Sequence, residues 1–265
     1  MTIKEYVANK KLALTEEIKG LDKKPSFIIM QVNEDEASNA YVRGKLKDAD
    51  EVGIKCELKK YPTSISQDEL LKAIKENCAD PSVHGLIVQM PLPRQIDEEA
   101  VKLAVDPQKD IDGFHPLSHL DPCTPKGIIN FLKDEKYPLV GKNAVVIGRS
   151  NIVGRPMAKL LLNESCNVTV VHSKTPREEL NRFIANADII VVAIGKAGFL
   201  DNSFTYKDSA VIVDVGISRI EGKLHGDAIR DLPVKFQTPV PGGVGLLTRL
   251  TLLTNLMEAY KALEK

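Results

Sequence analysis

Apolar positions along the chain switch repeatedly between two spacings. Residues 3–21 place Ile3, Val7, Leu14, Ile18 and Leu21 on one side of a helix. Pro25 then precedes a compact apolar run, Phe27 to Val32, that predicts a buried strand. A helical stretch follows from about Ala37 to Val52, closed by Gly53, a residue suited to the left-handed position after a helix. Ile54 to Lys60 predicts a second strand. Ser66-Gln67-Asp68-Glu69 is a capping-box pattern opening a helix with Leu70, Leu71 and Ile74 on its apolar side. Val83 to Gln89 predicts a third strand, stopped by Pro91 and Pro93. Such alternation implies parallel strands joined by crossover helices.

The stretch from Pro107 to Pro125 breaks the rhythm with prolines, two histidines and several aspartates. So long an irregular segment inside a compact domain is usually functional or a linker. Alternation then restarts, with a helix from about Lys126 to Asp134, a strand Asn143–Ile147 and a helix Gly154–Asn163. A strand Val168–Val171, a helix Pro176–Asn186, and strands at Ile189–Ile194, Val211–Val215 and Phe236–Thr238 follow. The last helix, Val244–Leu263, draws an apolar side from Leu246, Leu250, Leu253, Leu256, Met257 and Tyr260. The pattern predicts two α/β lobes meeting near residues 135–142.

Composition narrows the class. The 265 residues are 43% apolar and 27% charged, close to the averages of globular proteins. Lys plus Arg and Asp plus Glu both number 36, so no basic excess points to nucleic acid. The longest apolar run, Ile189–Ile194, is far short of the ~20 residues of a membrane helix. Lys4, Glu5, Lys10 and Lys11 stand where a signal peptide needs an apolar core. Cys56, Cys78, Cys123 and Cys166 are widely separated, without zinc spacing. A reduced cytoplasmic protein with no metal, no nucleic-acid partner and no membrane association is expected. Cys123 lacks an evident basic partner and is expected to be a loop residue.

Two segments carry candidate chemistry. In Val145 to Pro156 an apolar strand runs through Gly148 into a turn and then a helix, the arrangement that aims a helix N-terminus at a pyrophosphate. Ser150 stands where a second glycine is usual, and Gly154 comes one residue late; an ordinary strand–helix turn is the plain alternative. The next strand ends in His172-Ser173-Lys174-Thr175, with no acid for a ribose 2′-hydroxyl. Arg149, Ser173 and Lys174 offer charge and donors to a 2′-phosphate instead, which favours NADP over NAD unless they are merely surface groups. In the first lobe Tyr41 and Lys45, four apart, share a helix side near a strand's carboxyl end, where open α/β sheets bind ligands. A lysine desolvated there can exchange protons near neutrality, although a surface lysine beside a rim tyrosine has the same spacing. Gln89 ends the third strand at that edge and can orient a ligand or an ammonium, or cap its own turn. Asp110 and Asp112 flank Ile111 before Gly113; Asp112 can accept from a nitrogen-rich ring or be a plain turn carboxylate.

Taken together, these segments resemble the bifunctional methylenetetrahydrofolate dehydrogenase/cyclohydrolase family of bacterial FolD type. The matches run in order through Ala37-Ser38-x-x-Tyr41-Val42-x-x-Lys45, Val88 to Pro93, Pro107-x-Lys109 to Phe114 and Pro122-Cys123-Thr124-Pro125-x-Gly127. They continue through Ile147 to Pro156, His172 to Thr175, Asp214 to Ile217 and Thr238 to Gly245. The resemblance implies an α/β, two-lobed fold: a three-layer folate-binding catalytic domain over 1–135, completed by the C-terminal helix 246–265, and a Rossmann-like NADP-binding domain over 136–245. It implies tetrahydrofolate one-carbon derivatives as substrates, NADP as cofactor, a cleft between the lobes, a homodimer and a place in the one-carbon metabolism that feeds purine biosynthesis.

By the same resemblance Lys45 is the central catalytic residue, Tyr41 stacks on the folate rings, Gln89 supports Lys45 and Asp112 bonds the pterin. Gly148, Arg149, Ser150, Ile152, His172, Ser173, Lys174, Gly195 and Ile217 belong to the cofactor side, and Pro241, Gly242 and Gly243 line the substrate and nicotinamide. Three departures stand out. The chain starts directly in the helix, without the family's usual first strand, which leaves a sheet edge open. Leu246-Leu247-Thr248 replaces Pro-Met-Thr, and Met90 replaces a leucine of similar volume. The rival readings are a shikimate- or amino-acid-dehydrogenase-like NADP oxidoreductase and a non-catalytic dinucleotide-binding module.

Overall fold

A computed structural model describes residues 1–33 and 35–265, with Ala37 described by its backbone alone. The chain forms two compact units. The first comprises residues 8–123 and 249–265, the second residues 1–7 and 124–248.

In the first unit, three parallel strands form a sheet of order β2-β1-β3: β1 (Ser26–Gln31), β2 (Lys55–Lys60) and β3 (Gly85–Gln89). Successive side chains of β1 point to opposite faces. Phe27 and Ile29 join one core with Val42, Ala49 and Val52 of α2 (Glu36–Val52) and Leu252, Leu253 and Leu256 of α8 (Val244–Leu263). Ile28 and Met30 join the other with Leu70 and Ile74 of α3 (Gln67–Ala79) and Val101 of α4 (Glu98–Ala104). The sheet is thus the middle of three layers. The outer edge of β3 is partly covered, because the Leu86 N–H donates to Lys109 O and Leu86 bridges to Asp110 in the irregular stretch.

Local signals hold where they were clear. Ser66 and Glu69 make a reciprocal capping box, Asp35 accepts the Ser38 N–H at the start of α2, and Gly53 ends that helix with φ +82°. Two differences have simple causes. α4 carries too little apolar periodicity to be read from seven residues. α8 is not amphipathic: Leu247, Thr251, Leu252, Asn255 and Ala259 are buried as well as the expected side, while Leu246 is only half-buried. Burial around most of its circumference, with Glu258 and Lys261 left exposed near its end, removes the continuous polar stripe that a surface helix would show.

The second unit has a five-stranded parallel sheet of order β10-β7-β6-β4-β5. Its strands are β4 (Asn143–Ile147), β5 (Asn167–Val171), β6 (Ile189–Val192), β7 (Val211–Asp214) and β10 (Phe236–Gln237). Helices α6 (Gly154–Asn163) and α7 (Arg177–Asn186) are the crossovers around β5, and a short hairpin, β8 (Ser218–Ile220) with β9 (Lys223–His225), was not legible because its strands are three residues each and largely exposed. α5 (Cys123–Asp134) starts earlier than expected, since a proline such as Pro125 is tolerated in a helix's first turn. Cys123 is therefore a helix residue, with its thiol donating to Ile111 O at 3.2 Å. The compact units divide at 123/124 and not 135/136: Phe131 of α5 meets Tyr6 edge to face and Phe236 at a tilt, both in the second unit. No helix among the described residues is long and apolar enough to cross a membrane.

Candidate active site

In the first unit, four of the expected residues gather at the carboxyl edge of the sheet. Lys45, in the third turn of α2, is only 6% exposed, and its ammonium donates to Gln89 Oε1 at 3.1 Å. The amide of Gln89 is fixed from its other end, where Nε2 donates to Met90 O at 2.8 Å. That choice leaves the oxygen as the atom facing Lys45. Tyr41, one turn earlier and half-buried, presents its ring with the Lys45 ammonium 5.4 Å from the centroid. Asp112 is half-buried as a residue, yet burial of its carboxyl pushes the pKa up, and the positive charge of Lys45 draws it back down. The two groups are therefore within electrostatic reach of each other.

Asp110 and Asp112 have different tasks. Asp110 turns inward: its carboxylate accepts the Gly113 N–H at 3.2 Å and the His115 N–H at 2.7 Å. Gly113, at φ +75°, packs so closely that a Cβ would lie 2.6 Å from Asp121 O. From α8, the fully buried Asn255 donates to Ile111 O at 2.9 Å and Asp121 O at 3.1 Å. The irregular stretch is thus a braced platform that presents Asp112. Asn255 was missed in the sequence; an amide inside an otherwise leucine-rich helix was the available signal.

The same edge holds two orphaned polar atoms. Gln31 Oε1, at the end of β1, and Ser38 Oγ, in the first turn of α2, are buried and find no hydrogen-bond partner among the described residues. Buried polar groups are nearly always paired, so an unsatisfied acceptor and hydroxyl at this sheet edge suit a polar ligand. Gln31 was legible as a polar end to the run Phe27 to Val32.

In the second unit, the expected cofactor residues lie at the carboxyl ends of β4, β5, β6 and β7, the edge where open parallel sheets bind ligands. β4 is the switch point, with β5 on one side and β6 on the other. Gly148 follows β4 with φ +117°, and a Cβ there would meet Ala193 O at 2.5 Å. A Cβ on Gly154 would meet Gly148 O at 2.4 Å. Glycine is thus required at both positions, and the turn keeps backbone accessible for a phosphate.

Ser150 does more than line this turn. Its Oγ accepts the N–H groups of Val153 and Gly154 at 3.2 and 3.3 Å, which caps α6 and leaves its hydroxyl proton to donate. His172 is drawn into its own turn, with Nδ1 accepting the Lys174 N–H at 3.2 Å. Arg149, Ser173 and Lys174 stay exposed, as do the apolar Ile152 and Ile217 and the left-handed Gly195. The exposed set combines cations, hydroxyls and apolar side chains with no carboxylate at residues 172–175, a donor set that fits NADP. Pro241, Gly242 and Gly243 follow β10 at the same sheet edge, after a cis Val240–Pro241 bond and just before α8. Among the described residues no group of three or more His, Cys, Asp or Glu is placed to hold a metal.

Comparison with known proteins agrees with this geometry. Residues 1–112 match the family model for the tetrahydrofolate dehydrogenase/cyclohydrolase catalytic domain, and residues 122–264 that for its NAD(P)-binding domain. The chain is 42% identical over 274 residues to the bifunctional protein FolD of Halalkalibacterium halodurans, covering 97% of each. Its structure resembles the FolD methylenetetrahydrofolate dehydrogenase/cyclohydrolase of Campylobacter jejuni, with a TM-score of 0.92, 38% identity and 98% and 97% of the two chains covered. The N5,N10-methylenetetrahydrofolate dehydrogenase-cyclohydrolase of Trypanosoma brucei, solved with NADP cofactor and inhibitor, gives 0.93 at 29% identity, covering 99% and 97%.

Proposed function

We propose, from the premise that this chain belongs to the tetrahydrofolate dehydrogenase/cyclohydrolase family, which of its residues carry the two reactions. The activity is bifunctional: NADP-dependent oxidation of 5,10-methylenetetrahydrofolate to 5,10-methenyltetrahydrofolate, then hydrolysis to 10-formyltetrahydrofolate. Neither the shikimate-dehydrogenase-like reading nor the non-catalytic module is favoured. Bound NADP+ supplies the hydride acceptor for the first reaction.

In this reading the Tyr41 ring stacks on the folate rings and sets their plane. The Asp112 carboxyl accepts from the pterin edge. The Lys45 ammonium moves the proton that the hydrolytic step requires, and Gln89 Oε1 orients it. Pro241, Gly242 and Gly243 line the reacting faces of substrate and nicotinamide. On the cofactor side, Gly148 and the start of α6 take the pyrophosphate, assisted by the Ser150 hydroxyl, and Arg149, Ser173 and Lys174 take the 2′-phosphate. Ile152, His172, Gly195 and Ile217 complete the binding surface.

The proposal extends to a cytoplasmic homodimer. β5 is the outer strand of its sheet, with Val170 exposed, and Leu162 of the adjoining α6 is exposed too. Four free cysteines suit a reducing compartment.

One observation carries the assignment: the buried Lys45 ammonium held on a glutamine whose orientation is locked. The test is purified protein with methylenetetrahydrofolate and NADP+ or NAD+, followed at the absorbance of the methenyl product. Lys45→Met is expected to abolish hydrolysis of methenyltetrahydrofolate while some hydride transfer survives. A Met variant that hydrolyses at the wild-type rate removes Lys45 from this role.

A further inference from the structure

Two buried carboxylates tie together the loops that follow β6, β7 and β10. Asp227 is fully buried, and its carboxylate accepts three consecutive backbone N–H groups. Ile194 and Gly195 donate to Oδ2 at 2.7 and 3.0 Å, and Lys196 donates to Oδ1 at 2.6 Å. Asp214, the last residue of β7, is 2% exposed and holds Asp227 in turn. Its oxygens accept the N–H groups of Asp227 and Ala228, both at 2.9 Å, and of Gly216 at 3.2 Å. The Asp214 N–H donates to Thr238 Oγ1 at 2.8 Å, just past the end of β10.

Two glycines make room for this arrangement. A Cβ on Gly216 would lie 2.0 Å from the Asp227 carboxyl carbon, and one on Gly226 would lie 2.0 Å from Asp214 Oδ2. The loop held by Asp227 carries the left-handed Gly195 and the exposed Ile194. A flexible loop of that composition would sample many shapes; three N–H groups on one fixed carboxylate select a single one.

We propose that Asp227 is a positioning residue for the dinucleotide: it preforms the loop Ile194–Lys196, and Asp214 fixes Asp227 against the ends of β7 and β10. This rests on the cofactor-side assignment made above. A preformed loop spares the ligand the cost of ordering it, so loss of the brace lowers the competent fraction and weakens apparent affinity in proportion.

The two activities supply an internal control, because hydrolysis of methenyltetrahydrofolate consumes no NADP+. Asp227→Asn keeps the volume but turns one acceptor oxygen into an NH2 facing a backbone N–H. It is expected to raise the KM for NADP+ about tenfold, the effect of a competent fraction reduced to roughly a tenth. Cyclohydrolase turnover is expected to stay within about twofold. Gly216→Ala, whose methyl displaces the carboxylate without changing charge, should reproduce that split, and the exposed Asp208→Asn should leave both values unchanged. By hydrogen exchange, the amides of 194–196 should be protected in the wild type and lose protection in Asp227→Asn.

An unchanged KM for NADP+ in Asp227→Asn overturns the proposal, and so does rapid exchange of those amides in the wild type. If neither variant folds, exchange in the wild type decides alone. A wild-type protein lacking both activities counts against the proposed function and leaves the exchange result standing.

Discussion

Lys45 and Gln89 are 44 positions apart and meet at 3.1 Å. The contact exists because the third turn of α2 and the last residue of β3 reach the same sheet edge, and because β1 and β3 pair with Gln31 opposite Gln89. The Gln89 amide cannot turn to present its nitrogen without giving up its bond to Met90 O.

Replacing Gln89 by Ala therefore leaves the Lys45 ammonium buried without its oriented acceptor. Cyclohydrolase kcat is expected to fall on the order of 10²-fold, the usual scale of a lost positioned proton carrier. Stability should fall by about 2 kcal/mol, because a buried charged donor loses its acceptor. Steady-state hydrolysis of methenyltetrahydrofolate alongside a urea melt checks both, and wild-type turnover in Gln89→Ala rules out the orienting role.

The proposed 2′-phosphate contacts Ser173 and Lys174 lie just past the end of β5. Lys174 is exposed where a carboxylate would mark a ribose 2′-hydroxyl site. Lys174→Glu should raise the KM for NADP+ about tenfold or more through repulsion of the 2′-phosphate and narrow the gap to NAD+. Equal KM values for NADP+ in variant and wild type exclude Lys174 from the phosphate site.

Asp48, one turn beyond Lys45 on α2, is a shared anchor. Its buried carboxylate accepts from Lys11 of α1 (Ile3–Lys19) and, at 2.9 Å, from Arg249 Nε of α8. Lys11 and Arg249 stand shortly after the two points at which the chain enters this unit. Asp48→Ala takes the carboxylate from Arg249, while Lys11 keeps Glu51 at 2.7 Å, and should cost about 2 kcal/mol. Gly44→Ala should cost less, about 1 kcal/mol. Its Cβ would meet Arg249 Nη1 at 1.9 Å and displace only that flexible arm, leaving Lys11 in place. Chemical denaturation of the two variants tests the ranking, and equal losses would contradict it.

Burial pushes the Asp214 carboxyl from 3.8 up to about 6, outweighing the backbone N–H groups that favour its charged form. With the folded value above the unfolded one, the folded state keeps a proton between pH 4 and 6 that the unfolded chain has lost. The group's contribution to stability is thus fully present below about pH 4 and is lost as pH rises through about 6, a change of about 3 kcal/mol. Glu69 and Glu264, held below the ordinary value by hydrogen bonds to Ser66 and Lys23, contribute with the opposite sign and over a more acidic range. A carboxyl-carbon NMR titration should give Asp214 a midpoint near 6; a midpoint near 4 refutes this account.

The amino-acid sequence by itself determined whatever depends on neighbours within a few turns. The capping box at Ser66, the left-handed Gly53, the strand–glycine–helix run through Gly148 and the Tyr41–Lys45 helix side are all local, and local backbone preferences write them directly. Tertiary structure alone decided which polar group meets which. It separated Asp110, a loop brace, from Asp112, a buried carboxyl within electrostatic reach of Lys45, although the two differ only by a step along one turn. It buried Asn255 against Ile111 O, covered most of the circumference of α8, and set Asp227 under residues 194–196. Those contacts depend on strand register and on how closely glycines such as Gly44, Gly113 and Gly216 let distant atoms approach, and neither quantity is carried by the spacing of residues along the chain.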